Sequence, residues 1–250
     1  MSVIPSQFAA RVSLLRDKVP GFDDYPFSLP VVRTLDAIDL HPRLTFLVGE
    51  NGSGKSTLLE AMAIALGFNP EGGSRNFNFG TRESHSVLHE YLRIAKGVRP
   101  RDGFFLRAES WFNVGTEIEK LDREPAAAPP IIDSYGGRSL HEQSHGESFM
   151  TLLKKRFAGK GLYLLDEPEA ALSPTRQIEA LQRFHELVQR GSQFVIATHS
   201  PILMAYPDAL ILQCTPVGLR PVAYEDTEHF RVTRDFLLHR DKVFDILLER

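Results

Sequence analysis

Cysteine is nearly absent: Cys214 is the only one among 250 residues. A lone thiol closes no internal disulfide and builds no cysteine-based zinc framework, so a stapled secreted scaffold is excluded and a reducing compartment is expected. Long apolar runs are missing as well. No stretch approaches the roughly 20 residues a spanning helix needs, and the opening MSVIPSQFAARVSLLRD lacks the continuous apolar centre of a signal peptide. The expectation is a cytoplasmic protein with no membrane insertion. Neither sign of charge dominates: 29 Lys and Arg face 32 Asp and Glu, a net charge of -3. No global positive field draws the chain onto nucleic acid, which leaves nucleic acid to a local patch if it binds at all. With 18 Gly and 16 Pro the chain is not of low complexity, and 42% hydrophobic with 24% charged residues describe one ordinary globular domain.

What is present begins with an apolar, β-favouring run, Arg43 to Val48, followed at once by GENGSGKST, Gly49 to Thr57, and then by LLEAMAIALGF. Leu58, Leu59, Met62, Ala65 and Leu66 recur at helical spacing until Gly67 ends the pattern. Strand, glycine loop and helix together form the context of a phosphate-binding P-loop. The glycines let backbone N–H groups of Asn51, Gly52, Ser53 and Gly54 turn inward around phosphate oxygens, and the helix start adds its positive dipole end. Lys55 reaches the β- and γ-phosphates, Ser56 supplies a hydroxyl ligand to Mg²⁺, and Thr57 is placed for the α-phosphate.

The catalytic carboxylates are expected in GLYLLDEPEAALS, Gly161 to Ser173. Its apolar run reads as a central parallel strand with Asp166 and Glu167 at the carboxyl end, where ligands of open α/β sheets collect. Asp166 is expected to hold the Mg²⁺ shell and Glu167 to polarise the water that attacks the γ-phosphate. Ser173-Pro174 opens a helix with Ile178, Leu181, Phe184, Leu187 and Val188 on its inner face. Another β-rich run, Gln193 to Ala197, then delivers His199 to the same sheet edge, beside the γ-phosphate or Glu167.

These residues resemble the ABC-type ATPase superfamily: the loop GENGSGKST, the strand LYLLDEP, the histidine of ATHSP, and SHGES (Ser144 to Ser148) in the place of the family's signature. More narrowly, LLDEPEAALSP and ATHSPIL look like the stand-alone bacterial ATPases of the AAA-21 type, related to SMC and recombination ATPase heads. The resemblance implies an α/β P-loop fold with a mostly parallel sheet and an inserted helical lobe, and ATP with Mg²⁺ as ligands. It also implies an ATP-dependent head-to-tail homodimer in which Ser144 and Gly146 complete the site of the opposite subunit. Coupling to an unknown protein partner follows from it too. The alternatives are the ATP-binding subunit of an ABC transporter and a DNA-maintenance or phage-defence ATPase. The family's Q-loop glutamine has no clear counterpart, Glu109 being nearest, and the adenine-stacking aromatic is Tyr25 or Phe27.

A rival pattern overlaps the signature, since His141, Glu142 and His145 spell the HExxH of zinc peptidases, which requires one helix presenting both histidines. The flanking glycines favour a loop instead. His85 and His89 are expected to be solvated on a helix over Glu83–Lys96. The nucleotide-binding lobe is expected over residues 1–80 and 161–250, with a helical lobe over 81–160. The basic clusters Arg93 to Arg107 and Lys154 to Lys160 read as solvated faces, and the stretch from Val232 onward as an amphipathic helix.

Overall fold

The computed structural model describes residues 7–74, 86–107, 111–123 and 129–248. Its centre is a six-stranded sheet in the order β5-β6-β7-β3-β8-β9, built from β3 (Leu44–Val48), β5 (Asp102–Arg107), β6 (Gly161–Asp166), β7 (Gln193–Ala197), β8 (Leu210–Thr215) and β9 (Gly218–Pro221). The first five strands in that order run parallel and β9 closes the edge antiparallel. A second, three-stranded antiparallel sheet joins β1 (Ala9–Leu14) to β2 (Ala37–Asp39) and β4 (Leu92–Lys96).

Strands β3, β6 and β7 are buried along their whole length because both faces of the sheet are covered. Alternate residues divide between two cores. Phe46, Tyr163, Leu165, Phe194 and Ile196 pack on one face with α4 (His145–Thr151) and α5 (Pro174–Gln189). Leu47, Leu162, Leu164 and Val195 pack on the other with α2 (Lys55–Ala65) and the small sheet. Around these lie α1 (Pro30–Arg33), α3 (Trp111–Arg123), α6 (Pro201–Met204), α7 (Glu228–Leu238) and α8 (Arg240–Leu247). Among the described residues, no helix is long and apolar enough to cross a membrane.

Register fixes the working edge. Phe46 pairs with Ile196, and Asp166 with Ala197, so the carboxyl ends of β3, β6 and β7 finish side by side. The Glu167 N–H donates to Ala197 O at 2.9 Å and the Thr198 N–H to Leu47 O at 3.1 Å, carrying the alignment one residue past the strands.

Several expectations need correction. The span 81–160, expected as a helical lobe with a strand at GFFLRA, gives that strand, β5, to the central sheet and a second, β4, to the small one. Instead of a helix over Glu83–Lys96, Val87–Tyr91 form a 3₁₀ turn and Leu92–Lys96 a strand, since β1 offers that segment a full ladder of partners. His85 and Glu109 lie outside the described residues. Ile178 is 61% exposed on α5, outside the inner face that Phe184, Leu187 and Val188 do form. The C-terminal stretch is two helices broken at His239.

Candidate functional site

Gly49, Gly52 and Gly54 carry φ values of +146°, +76° and +93°, conformations that side chains resist, and they curl the loop between β3 and α2. At Gly54 space is decisive too: a Cβ there would stand 2.5 Å from Val31 Cγ1, so α1 closes against the loop. Inside the curl the Lys55 ammonium donates to Gly49 O at 2.8 Å and Glu50 O at 3.0 Å, and the residue is 4% exposed. Burial pulls Lys55 below the ordinary lysine range, against the opposing charges of Glu167, Asp166 and Glu169. Asn51 and Gly52 are exposed, while Ser53, Gly54, Ser56 and Thr57 are half-buried.

The loop meets the end of β6 where the Ser56 hydroxyl donates to Asp166 Oδ1 at 2.9 Å. Glu167 follows with φ +47°, a left-handed conformation that costs a non-glycine residue roughly 1–2 kcal/mol. Its carboxylate oxygen Oε1 lies 3.4 Å from Nε2 of His199. The structure therefore brings Lys55, Ser56, Asp166, Glu167 and His199 to one sheet edge.

Two participants escaped the sequence reading. Glu169 Oε1 accepts the His199 N–H at 2.6 Å, and burial raises this carboxyl above its ordinary value. The acidic spacing of DEPE was its signal. His229, from α7, places Nε2 3.0 Å from Nδ1 of His199. It stands 30 residues from His199 in no motif, and nothing in the sequence pointed to it.

Ser144 and Gly146 stand at the start of α4, which packs on the sheet face opposite α2. Ser144 caps α4 in a capping box: Glu147 Oε2 accepts its N–H at 3.0 Å and its hydroxyl at 2.8 Å, while Ser144 Oγ accepts the Glu147 N–H at 3.3 Å. Gly146 is required by contact, because a Cβ would lie 2.6 Å from Ala171 O. Together with Glu167, Ser173 and Arg176 these two residues line an open cleft of about 610 Å³. Of the candidate aromatics, Phe27 is buried edge-to-face on Tyr91 at 4.9 Å and belongs to the core, whereas Tyr25 is 65% exposed.

The zinc-peptidase pattern does not form. His141 lies in the 3₁₀ turn Leu140–Glu142 and reaches Thr116 Oγ1 at 3.2 Å, while His145 opens α4, so no single helix carries both. Among the described residues no group of three His, Cys, Asp or Glu is placed to hold a metal ion. The basic clusters are also partly consumed internally, Arg107 by Glu60 at 2.7 Å and Arg156 by Asp102 at 2.8 Å.

Comparison with known proteins agrees with this geometry. Residues 27–123 match a family model described as "AAA domain", and residues 148–205 one described as "AAA domain, putative AbiEii toxin, Type IV TA system". The chain is 30% identical over 179 residues to ABC transporter I family member 1 of Arabidopsis thaliana, covering 68% of this chain and 75% of that protein. It is also 30% identical over 182 residues to the cytochrome c biogenesis ATP-binding export protein CcmA of Maricaulis maris, covering 69% and 80%. In fold it is similar to an ATP-binding cassette of an ABC transporter, with a TM-score of 0.53, 16% identity, and 93% and 97% of the two chains covered. The chain belongs to the ABC-type ATPase family of P-loop proteins.

Proposed function

We propose that this member of the ABC-type ATPase family binds Mg-ATP at Gly49–Thr57 and hydrolyses it to ADP and phosphate. The observation that carries the reading is the meeting of Ser56, Asp166, Glu167 and His199 at one sheet edge around the buried Lys55. The residues fit the ligand. A hydroxyl and a carboxylate 2.9 Å apart are the oxygen pair a hard divalent cation takes, and an ammonium in a glycine-turned loop suits a polyphosphate. Bound Mg²⁺ neutralises charge between the phosphates.

In this reading Asn51, Gly52, Ser53 and Gly54 cradle the phosphates with their N–H groups, and Thr57 binds the α-phosphate. Lys55 exchanges its carbonyl partners for phosphate oxygens. Ser56 and Asp166 hold the metal. Glu167 takes the proton from the attacking water as the water oxygen bonds to the γ-phosphorus, the bond from that phosphorus to the β-phosphate oxygen breaks and ADP leaves, while His199 donates to the γ-phosphate. Tyr25, exposed ahead of the loop, is the residue for the adenine face.

The working unit is a head-to-tail dimer with ATP between the loop of one copy and Ser144 and Gly146 of the other. The exposed capping box supports this, because among the described residues the Ser144 hydroxyl is held by Glu147 alone and is able to turn to a phosphate. ATP then favours the closed state by contacts that ADP lacks. The stretch carrying α3 and α4 acts as the signature lobe, and the central sheet, β5 included, with α2 and α5 as the nucleotide lobe.

The test is the solution mass of Glu167→Gln, by light scattering, in Mg-ATP and in Mg-ADP. A dimer in ATP alone is expected. Lys55→Ala is expected to lose nucleotide binding, Glu167→Gln to bind without turnover, and Ser144→Arg to bind ATP and stay monomeric. Normal phosphate release by Glu167→Gln overturns the assigned base, and a monomer in both nucleotides overturns the in-trans use of Ser144. A second reading, the ATP-binding subunit of a transporter, draws on the names of the two relatives; co-purification with a membrane subunit favours it.

A further inference from the structure

His229 sits on α7, far from the glycine loop in sequence, yet it touches the functional residue whose proton placement matters most. Its Nε2 lies 3.0 Å from Nδ1 of His199, with the rings edge to face at 5.2 Å. On the other side of the His199 ring, Nε2 is enclosed without a hydrogen bond among the described residues, 3.4 Å from Glu167 Oε1. The fold holds this approach deliberately. Fully buried Thr227 caps α7 by accepting the Phe230 N–H at 3.3 Å, and its hydroxyl donates to Tyr224 O at 2.7 Å. The Tyr224 hydroxyl donates in turn to Pro201 O at 3.0 Å, tying the start of α7 to the turn that carries His199.

A neutral imidazole has one N–H and one lone pair, so the two sides of His199 are coupled. With the proton on Nδ1, His199 donates to His229 and turns a lone pair toward the Glu167 carboxylate, two acceptors facing in an enclosed space. With the proton on Nε2, an N–H faces Glu167, and the His229 Nε2–H donates to the free Nδ1. Only the second arrangement leaves both approaches attractive. Burial lowers both imidazoles below their ordinary value, and Lys55 lowers them further against the opposing pull of Glu50, Glu167 and Glu228. The neutral forms are therefore the ones present at neutral pH.

We propose that His229 is a positioning residue that holds His199 in its Nε2–H tautomer, so that the N–H is aimed beside Glu167 at the place of the γ-phosphate. The tautomer follows from the two contacts alone; its consequence for turnover rests on the ATPase reading. The hydrogen bond made by one ring nitrogen decides the proton on the other.

The test reads the tautomer directly, by ¹⁵N NMR of the imidazoles in the full chain, with His199→Ala identifying the His199 signals among nine histidines. Wild type is expected to show His199 as Nε2–H, His229→Phe a mixture of tautomers, and His229→Gln, whose amide N–H takes the donor's place, the wild-type form. An Nδ1–H tautomer in wild type, or an unchanged one in a folded His229→Phe, overturns the proposal. Should His229→Phe fail to fold, wild type and His229→Gln still decide. In ATPase assays His229→Phe is expected to lower kcat about 10- to 100-fold with KM changed less than about threefold. His229→Gln restores kcat, and His229→Phe adds nothing in a His199→Ala background. Turnover that ignores both Glu167→Gln and His199→Ala sinks the ATPase reading while leaving the tautomer result standing, so the two failures are distinguishable.

Discussion

Asp102 shows how a single side chain joins the signature segment to the sheet. Burial pushes its carboxyl up, yet the Arg156 guanidinium, the Tyr163 hydroxyl at 2.7 Å and the Ala158 N–H together hold it below the ordinary carboxylate range. Arg156 ends the π-turn Leu152–Arg156 that continues α4, and Asp102 starts β5, so this pair fixes where α4 stands relative to the sheet. A carboxyl lowered on folding contributes stability that is fully present above its unfolded value, near 3.9, and is lost as pH falls through its lower folded value. Asp102→Ala strands a guanidinium that is only 20% exposed, and is expected to cost about 3 kcal/mol in urea denaturation at neutral pH. The gap between variant and wild type narrows in acid. An unchanged urea midpoint at neutral pH would show the pair to be dispensable. Tyr135 is a core residue beneath the signature: burial first, and the Asp102 charge after it, push its hydroxyl up to about 12 against the opposing pull of the Arg156 guanidinium.

At the scale of elements, what could be read from the sequence is what carries strong local signals. β3, α2, β6, α5 and β7 were legible because continuous apolar runs of strand length alternate with helical spacing, punctuated by the glycine loop and by Ser173-Pro174. The small sheet was not legible, since β1 buries only Ala9, Val12 and Leu14, β2 buries no residue, and both owe their pairing to distant partners. Val87, Leu88, Tyr91, Leu92 and Ala95 satisfy helical spacing, but long-range pairing with β1 prevails over that local pattern. His229 was illegible for a related reason: it is delivered by a helix whose own sequence carries no sign of where it docks. Gly146 illustrates the opposite case, a motif glycine whose necessity is now visible. In Gly146→Ala the new Cβ meets the Ala171 carbonyl at 2.6 Å, and backbone on both sides leaves little room to yield. The start of α4 must move away from the 3₁₀ turn Pro168–Ala171. The expected cost is about 1–3 kcal/mol of stability, the range for overpacking, together with loss of the ATP-dependent dimer in the Glu167→Gln background. A dimer that forms normally in the double variant would show that the spacing of α4 and the Pro168–Ala171 turn is not read by the partner.

Across the whole molecule, stability is unevenly distributed, and the site lies near the boundary. The strands that deliver Lys55, Asp166 and His199 are enclosed by both cores. Beyond His229 the chain leaves that protection: α7 and α8 contain no buried residue, and Val232, Leu237, Leu238, Ile246 and Leu247 are each more than 60% exposed. α8 is eight residues long and is held to α7 by contacts such as Phe236 with Phe244 at 6.2 Å. A helix that short is marginal in water unless tertiary packing holds it. Native-state hydrogen exchange should therefore report two levels. Amides of Arg240–Leu247 are expected to open at a cost of no more than about 2 kcal/mol, while those of β3, β6 and β7 exchange only through global unfolding, at about 5 kcal/mol or more. The start of α7 belongs with the second group, because Thr227, Tyr224 and the His199–His229 contact anchor it. The transition is expected between Arg231 and Leu238, and His229→Phe should move it toward Thr227. Protection of α8 equal to that of β7, at every protein concentration, would contradict this account. Protection that rises with concentration would mean that a second copy covers the exposed apolar residues.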